Sequence, residues 1–178
     1  MGDLIDRKVN CSYKGNKAAD VFIAFIEGKY GGKCYLADID TDMYDHIDFT
    51  YVTEKGRKIT IDFKDIKYIS SYTKDGYGDY AADAYNVVEL QSVNGKEGWV
   101  YGKADYICFG TLDSWLWVKR SVLVDFVYAN VDKSEIHSGK LCTPKHHLLQ
   151  YQRPNRKDII TVVTKEELIK LSNKIDKK

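Results

Sequence analysis

Proline is scarce, with 2 in 178 residues, and no run of 18 apolar residues occurs. The first rules out collagen-like and proline-rich linker readings, and the second rules out a helical membrane span. Met1 to Asn10 carries Asp3, Asp6, Arg7 and Lys8 where a secretory signal would be apolar. A soluble, cytoplasmic protein is expected. Cysteine pairs at short spacing are absent as well. The four cysteines stand at 11, 34, 108 and 142 with no Cys-x-x-Cys, which excludes a zinc-finger-type cluster and suits reduced thiols. Excess charge is also missing, since 27 Lys+Arg face 26 Asp+Glu for a net +1. That excludes a globally basic DNA binder. No internal repeat and no linker-like stretch divides the chain.

What is there suits one globular domain over residues 1–178. Hydrophobic residues make up 44% and aromatics 13%, enough for a sizeable core. The charge is unevenly placed. Residues 1–100 hold 13 basic and 17 acidic groups (−4), and residues 101–178 hold 14 and 9 (+5). An acidic half beside a basic half suits a metal site next to a phosphate-binding surface, or chance.

Periodicity predicts a helix over 17–29, from Ala18, Phe22, Phe25 and Ile26, with Gly31-Gly32 as the stop. Strands are expected over 34–39, 47–53 and 58–64, the last two alternating as Ile47/Phe49/Tyr51 and Ile59/Ile61/Phe63. Glu54 to Arg57 is a hairpin loop with Gly56 available for a positive φ. The Gly-, Asp- and Tyr-rich stretch 72–85 reads as a mobile excursion. Further strands are expected over 86–92, 106–110, 115–118 and 159–163, with a helix from about 119 to 130 and a polar loop over 132–147. Thr164 should N-cap a closing helix, with Glu167 at the capping-box position. The fold class is α/β, a mixed central β-sheet flanked by helices, with a core over about 15–130 and a C-terminal strand and helix over 148–176.

The chemistry concentrates between Asp48 and Lys64. Thr60, Asp62 and Lys64 share one face of their strand, opposite Ile59, Ile61 and Phe63. A three-residue loop at 54–56 sets Thr53 opposite Arg57, and therefore Asp48 opposite Asp62. Two neighbouring carboxylates repel unless a cation lies between them. Oxygen-only ligation suits Mg²⁺ (or Mn²⁺), which keeps waters in its other positions. A lysine two residues along can orient or deprotonate a water and stabilise charge on a phosphate. The plain alternative is a pair of solvated aspartates on an ordinary hairpin.

Asp48 followed by Asp62-Phe63-Lys64 resembles the Asp…(Asp/Glu)-x-Lys signature of the PD-(D/E)XK nuclease superfamily, which includes restriction endonucleases and Holliday junction resolvases. Glu89-Leu90-Gln91-Ser92 and Gly98-Trp99-Val100-Tyr101-Gly102-Lys103-Ala104-Asp105-Tyr106 resemble small phage and bacterial members. The resemblance covers roughly residues 15–110. It implies a restriction-endonuclease-like sheet in a bacterial, or phage-encoded, cytoplasmic protein. It also implies DNA as substrate and a homodimer where both strands are cut. By position, Asp48 and Asp62 would be metal ligands, the Phe63 main-chain carbonyl a third, and Lys64 the catalytic lysine. Asp20, and after it Glu27, would be the acidic residue of the first helix. Glu89 could reach the metal. Gln91 and His46 would support it. Lys103, at a possible helix start, could hold a phosphate, and the Arg153, Arg156 and Lys157 cluster a DNA backbone. Trp99, Trp115 and Trp117 read as packing residues. His137, His146 and His147 lack a partner at ligand spacing. The first rival function is a nuclease-like domain that binds DNA or protein without cutting, against which the intact Asp48, Asp62 and Lys64 argue. The second, of a different class, is a small phage-type interaction or inhibitor protein with incidental aspartates, kept open by the near-zero charge and the Tyr/Asp-rich 72–85 segment.

Overall fold

A computed structural model describes residues 17–65, 84–138 and 146–177. Most of the expected 72–85 excursion lies outside these residues, as do Cys11 and Cys142; Cys34 is half-buried and Cys108 buried. Helix α1 (Lys17–Tyr30) ends where Gly31 and Gly32 both take positive φ, 67° and 76°. A Cβ at Gly32 would stand 2.2 Å from the Val52 carbonyl, so only glycine lets the chain turn this tightly against the sheet. Strands β1 (Lys33–Leu36), β2 (Phe49–Val52) and β3 (Lys58–Lys64) then form an antiparallel meander.

Strand β4 (Tyr85–Gln91) leaves that sheet, and β5 (Tyr106–Gly110) returns to lie parallel to β3. Beyond it run β6 (Ser114–Lys119) and, at the far edge, β10 (Lys174–Lys177), giving the order β1-β2-β3-β5-β6-β10. A second sheet has the order β4-β9-β8-β7, made with β7 (Asp132–Ser138), β8 (Leu149–Gln152) and β9 (Ile159–Thr164). Helices α2 (Arg120–Asn130) and α3 (Lys165–Leu171) complete the fold. Thr164 and Glu167 form the expected capping box at the start of α3. The general α/β class therefore holds, with two mixed sheets in place of one.

Strand parity divides the six-stranded sheet into two faces. Phe49, Tyr51, Ile61, Cys108, Trp115 and Trp117 pack beneath Phe22 and Ile26 of α1. Phe22 is the hub, stacked at 4.9 Å on Phe63 and tilted at 5.3 Å against both Trp115 and Trp117. The opposite face presents Ile107, Phe109, Leu116 and Val118 to α2, α3 and the second sheet through Leu123, Val127, Leu168, Val88 and Val163. Asp62 and Lys64 stand on this second face, beside Ile107 and Phe109 in the β3–β5 register.

Three expectations change. The predicted polar loop over 132–147 contains β7, a strand too polar and exposed to alternate. Lys103 follows the short helical turn Trp99–Tyr101 and starts no helix. The C-terminal segment contributes to both sheets, and β10 is a further strand after the closing helix.

Candidate active site

The hairpin register is the one its loop dictates. Thr53 N–H donates to the Arg57 carbonyl at 2.9 Å, Gly56 sits at φ 77°, and Phe49 lies opposite Ile61. Asp48 stands just before β2, where the ladder becomes irregular: its N–H donates to the Ile61 carbonyl at 2.9 Å although Ile61 already faces Phe49. The Asp48 carboxyl nevertheless reaches the Phe63 N–H and lies within the fields of Asp62 and Lys64.

Asp62 is 1% exposed and both of its oxygens are engaged. Lys64 Nζ meets Oδ1, and Arg120 Nη2 meets Oδ2 at 3.0 Å. Arg120 is itself buried and directs three further donors to main chain. Nε reaches the Ala104 carbonyl at 2.9 Å, Nη1 the Trp99 carbonyl and Nη2 the His46 carbonyl at 3.3 Å. A buried carboxylate held this way is locked in position, because removing either cation leaves a buried charge. Lys64 also lies 4.7 Å above the Trp99 ring, within cation–π range. Burial works against its charge, but Asp62 and Asp48 outweigh that and raise its pKa.

Asp48 is in the opposite condition. Its Oδ2 accepts the Phe63 N–H at 2.5 Å. Burial, with Asp62 and Asp42 adding like charge, drives its pKa up to about 7 despite Lys64 and that hydrogen bond. Asp42, from the π-helical turn Thr41–Asp45, hydrogen-bonds the Asp48 carboxyl and is itself raised, chiefly by desolvation. His46 closes that turn in a left-handed conformation, φ 52°. A Cβ at Gly102 would come within 2.7 Å of the His46 Cβ, so glycine there admits the turn. The His46 imidazole is held below its usual pKa by burial.

Glu89 faces the same neighbourhood from β4. Burial raises its pKa, against the Trp99 N–H it accepts and the charge of Lys64. Asp48, Asp62, Lys64, His46 and Glu89 are thus brought together, and Phe63 is joined to Asp48 through its main chain. Others are not. Asp20 is exposed on α1, which covers the other face of the sheet. Glu27 accepts the Cys34 N–H at 2.7 Å and pairs with Lys33, tying α1 to β1. Gln91 donates to the Lys157 carbonyl at 2.6 Å, which fastens β4 to the β8–β9 loop. Lys103 pairs with Asp45 at 2.8 Å and is otherwise largely exposed.

The basic cluster divides. Arg153 pairs with the wholly buried Asp158, while Arg156 and Lys157 are exposed. Trp115 and Trp117 are core residues, as expected. His147 does have a partner, Glu167 at 3.0 Å, and His146 is buried against Tyr151. Arg120 and Asp42 were not among the expected site residues. Nothing in the sequence signals Arg120, which stands in the polar Lys119-Arg120-Ser121 break between two apolar runs; for Asp42 the signal was the acid-rich stretch Asp38 to Asp45.

Asp48 and Asp62 offer two neighbouring carboxylates, of which Asp62 is paired at both oxygens and Asp48 is short of positive compensation. That chemistry fits a hard divalent cation, which needs only one or two carboxylates besides water. Among the described residues, no group of three or more His, Cys, Asp or Glu side chains is placed to hold a metal ion. No protein-family model matches the chain, and neither a curated protein nor a solved structure matches it.

Proposed function

We propose that the chain is a Mg²⁺-dependent DNA endonuclease, of restriction-endonuclease-like or junction-resolvase-like kind. The observation that carries this reading is the grouping of Asp48, Asp62 and Lys64, with Asp48 pushed up to about 7. Asp48, Asp62 Oδ1 and the Phe63 carbonyl would hold the cation. When bound, it supplies a Lewis acid beside the scissile phosphate.

The chain's own residues do the rest. Arg120 keeps Asp62 oriented through Oδ2, leaving Oδ1 as the exchangeable oxygen. Lys64, with its side chain 28% exposed, swings from Oδ1 to hold the attacking water and steady the developing charge on phosphate. Asp48 gives up its proton near neutral pH and becomes a full anion. Order of elements supports the same reading: helix, strand, the strand that follows Asp48, the Asp62–Lys64 strand, then a parallel strand.

One observation favours a second reading. Both Asp62 oxygens are already satisfied by protein cations, as suits a nuclease-like domain that binds DNA or protein without cutting. Nicking of supercoiled plasmid separates the two. The endonuclease cuts with Mg²⁺ or Mn²⁺ and not with chelator, and folded Asp62→Asn does not cut. A parent chain that binds DNA yet leaves supercoiled, linear and branched substrates intact in either metal sinks the endonuclease reading in favour of the second.

A further inference from the structure

A cleft of about 580 Å³ opens on the α1 face of the six-stranded sheet, at the hairpin-loop end of β2 and β3. Asp48 and Asp62 lie at the other end of the same hairpin, and Asp62 points to the other face. The cleft is therefore separate from the carboxylate site. Its size is that of a small-molecule pocket.

The walls are aromatic: Tyr30, Tyr51, Tyr106 and Trp117. Their polar atoms are largely spent inward. The Tyr51 hydroxyl donates to the Gly31 carbonyl at 2.9 Å, covering the C-terminal end of α1. Tyr30 Oη and Trp117 Nε1 both donate to the buried Asp176, at 2.5 and 2.9 Å. Tyr51 and Trp117 are buried and form the floor, so the ring surface offered to the cleft is chiefly that of the half-buried Tyr30 and Tyr106.

The mouth is cationic. Lys55, Arg57 and Lys174 line it against a single acid, Glu54. Lys174 is already placed over the Tyr30 ring at 3.5 Å. Lys55 and Arg57 are exposed and have no ion-pair partner among the described residues. Flat ring walls select a planar aromatic body, and unpaired cations at the rim select an anion attached to it.

We propose that this cleft binds a nucleoside phosphate, with the base against the aromatic wall and the phosphate held by Arg57 and Lys55. Arg57 is the specificity-determining cation, since its planar fork matches phosphate oxygens in pairs. The same moiety occurs as a free nucleotide and as the terminal nucleotide of a single strand.

The test is calorimetric titration of the full chain with adenosine 5′-monophosphate, with a ten-residue oligothymidylate as the second arm. Adenosine (ring without anion) and ribose 5-phosphate (anion without ring) are the controls. Saturable binding of the nucleotide or of the oligonucleotide is expected, at least about ten-fold tighter than either control, and the arm that binds identifies the source. Arg57→Ala, at an exposed loop position that leaves the fold intact, should weaken binding about ten-fold or more, and Arg57→Lys less. Adenosine binding as tightly as the monophosphate, an unchanged affinity in Arg57→Ala, or no binding in either arm overturns the assignment. Nuclease activity is a separate readout, unaffected by whichever result is found.

Discussion

Replacing Asp48 with asparagine should make the protein's stability depend less on pH, by an amount that follows from where Asp48 sits. Its carboxyl is held up to about 7 from an ordinary 3.8, chiefly by burial. The folded state therefore keeps a proton that the unfolded chain has already lost. Stability from this residue is complete below the unfolded pKa and falls as pH rises through the folded one. The gap of roughly three pH units, at about 1.36 kcal/mol each, makes about 4 kcal/mol the ceiling on that loss. Between about pH 5 and about pH 8 the linkage relation gives about 2.5 kcal/mol of it.

An asparagine side chain in its place would be neutral throughout and could still accept the Phe63 N–H that Asp48 Oδ2 accepts now. The stability difference between Asp48→Asn and the parent should accordingly widen by about 2.5 kcal/mol in favour of the variant over that interval. Urea or guanidinium titrations at the two pH values read it directly. Millimolar Mg²⁺ at the higher pH should narrow the gap, because only the parent has a second carboxylate to offer. A difference that stays constant with pH refutes the reasoning: it would mean that Asp48 ionises as an ordinary solvated aspartate.

The other expectations are more compact. Lys64→Ala should lower single-turnover cleavage about 10²-fold or more while DNA binding in Ca²⁺ stays near the parent value; an equal loss in both would make Lys64 a binding residue. Arg120→Met strands the buried Asp62 and should cost about 3–5 kcal/mol by denaturant titration, with Asp62→Asn in the same chain recovering part of it. Neutralising Arg156 and Lys157 together should reduce the log–log salt slope of DNA binding by up to about two units, at about 0.9 per lost phosphate contact. Arg153→Ala should act differently, lowering stability rather than that slope, since Arg153 pairs with buried Asp158.

The hairpin at the site was legible because everything that fixes it is local. Alternation over Ile59 to Lys64 sets the faces, and a glycine in a three-residue loop sets the register up to Phe49 and Ile61, so counting brings Asp48 close to Asp62. Partners brought in from a distance left no such trace. Arg120 reaches Asp62 across 58 residues, and nothing in the run around it says that an arginine at the first turn of α2 points inward. Asp20 shows the converse limit. Helical periodicity predicts that Phe22 and Ile26 face the sheet, but not which side of the sheet they cover. They cover the side bearing Phe49 and Phe63, so the acid on that helix stands across the sheet from Lys64. Strands β7 and β10 were illegible for a simpler reason: mostly exposed and rich in Lys, Asp and Glu, they carry little apolar alternation.

The edge strand β10 has a kinetic consequence. Lys174 pairs with Trp117, and Asp176 binds the Tyr30 hydroxyl across 146 residues of sequence. Contacts with such separations form only after long loops have closed, so their entropic cost is met before their reward. The six-stranded sheet cannot acquire its outer edge until residues 174–177 are available, however early the β2–β3 hairpin forms. Until then β6 presents an unpaired edge with Trp115 and Trp117 beside it, the kind of surface on which two partly folded chains join to each other. Slow, concentration-sensitive refolding, eased by dilution, is what this topology entails.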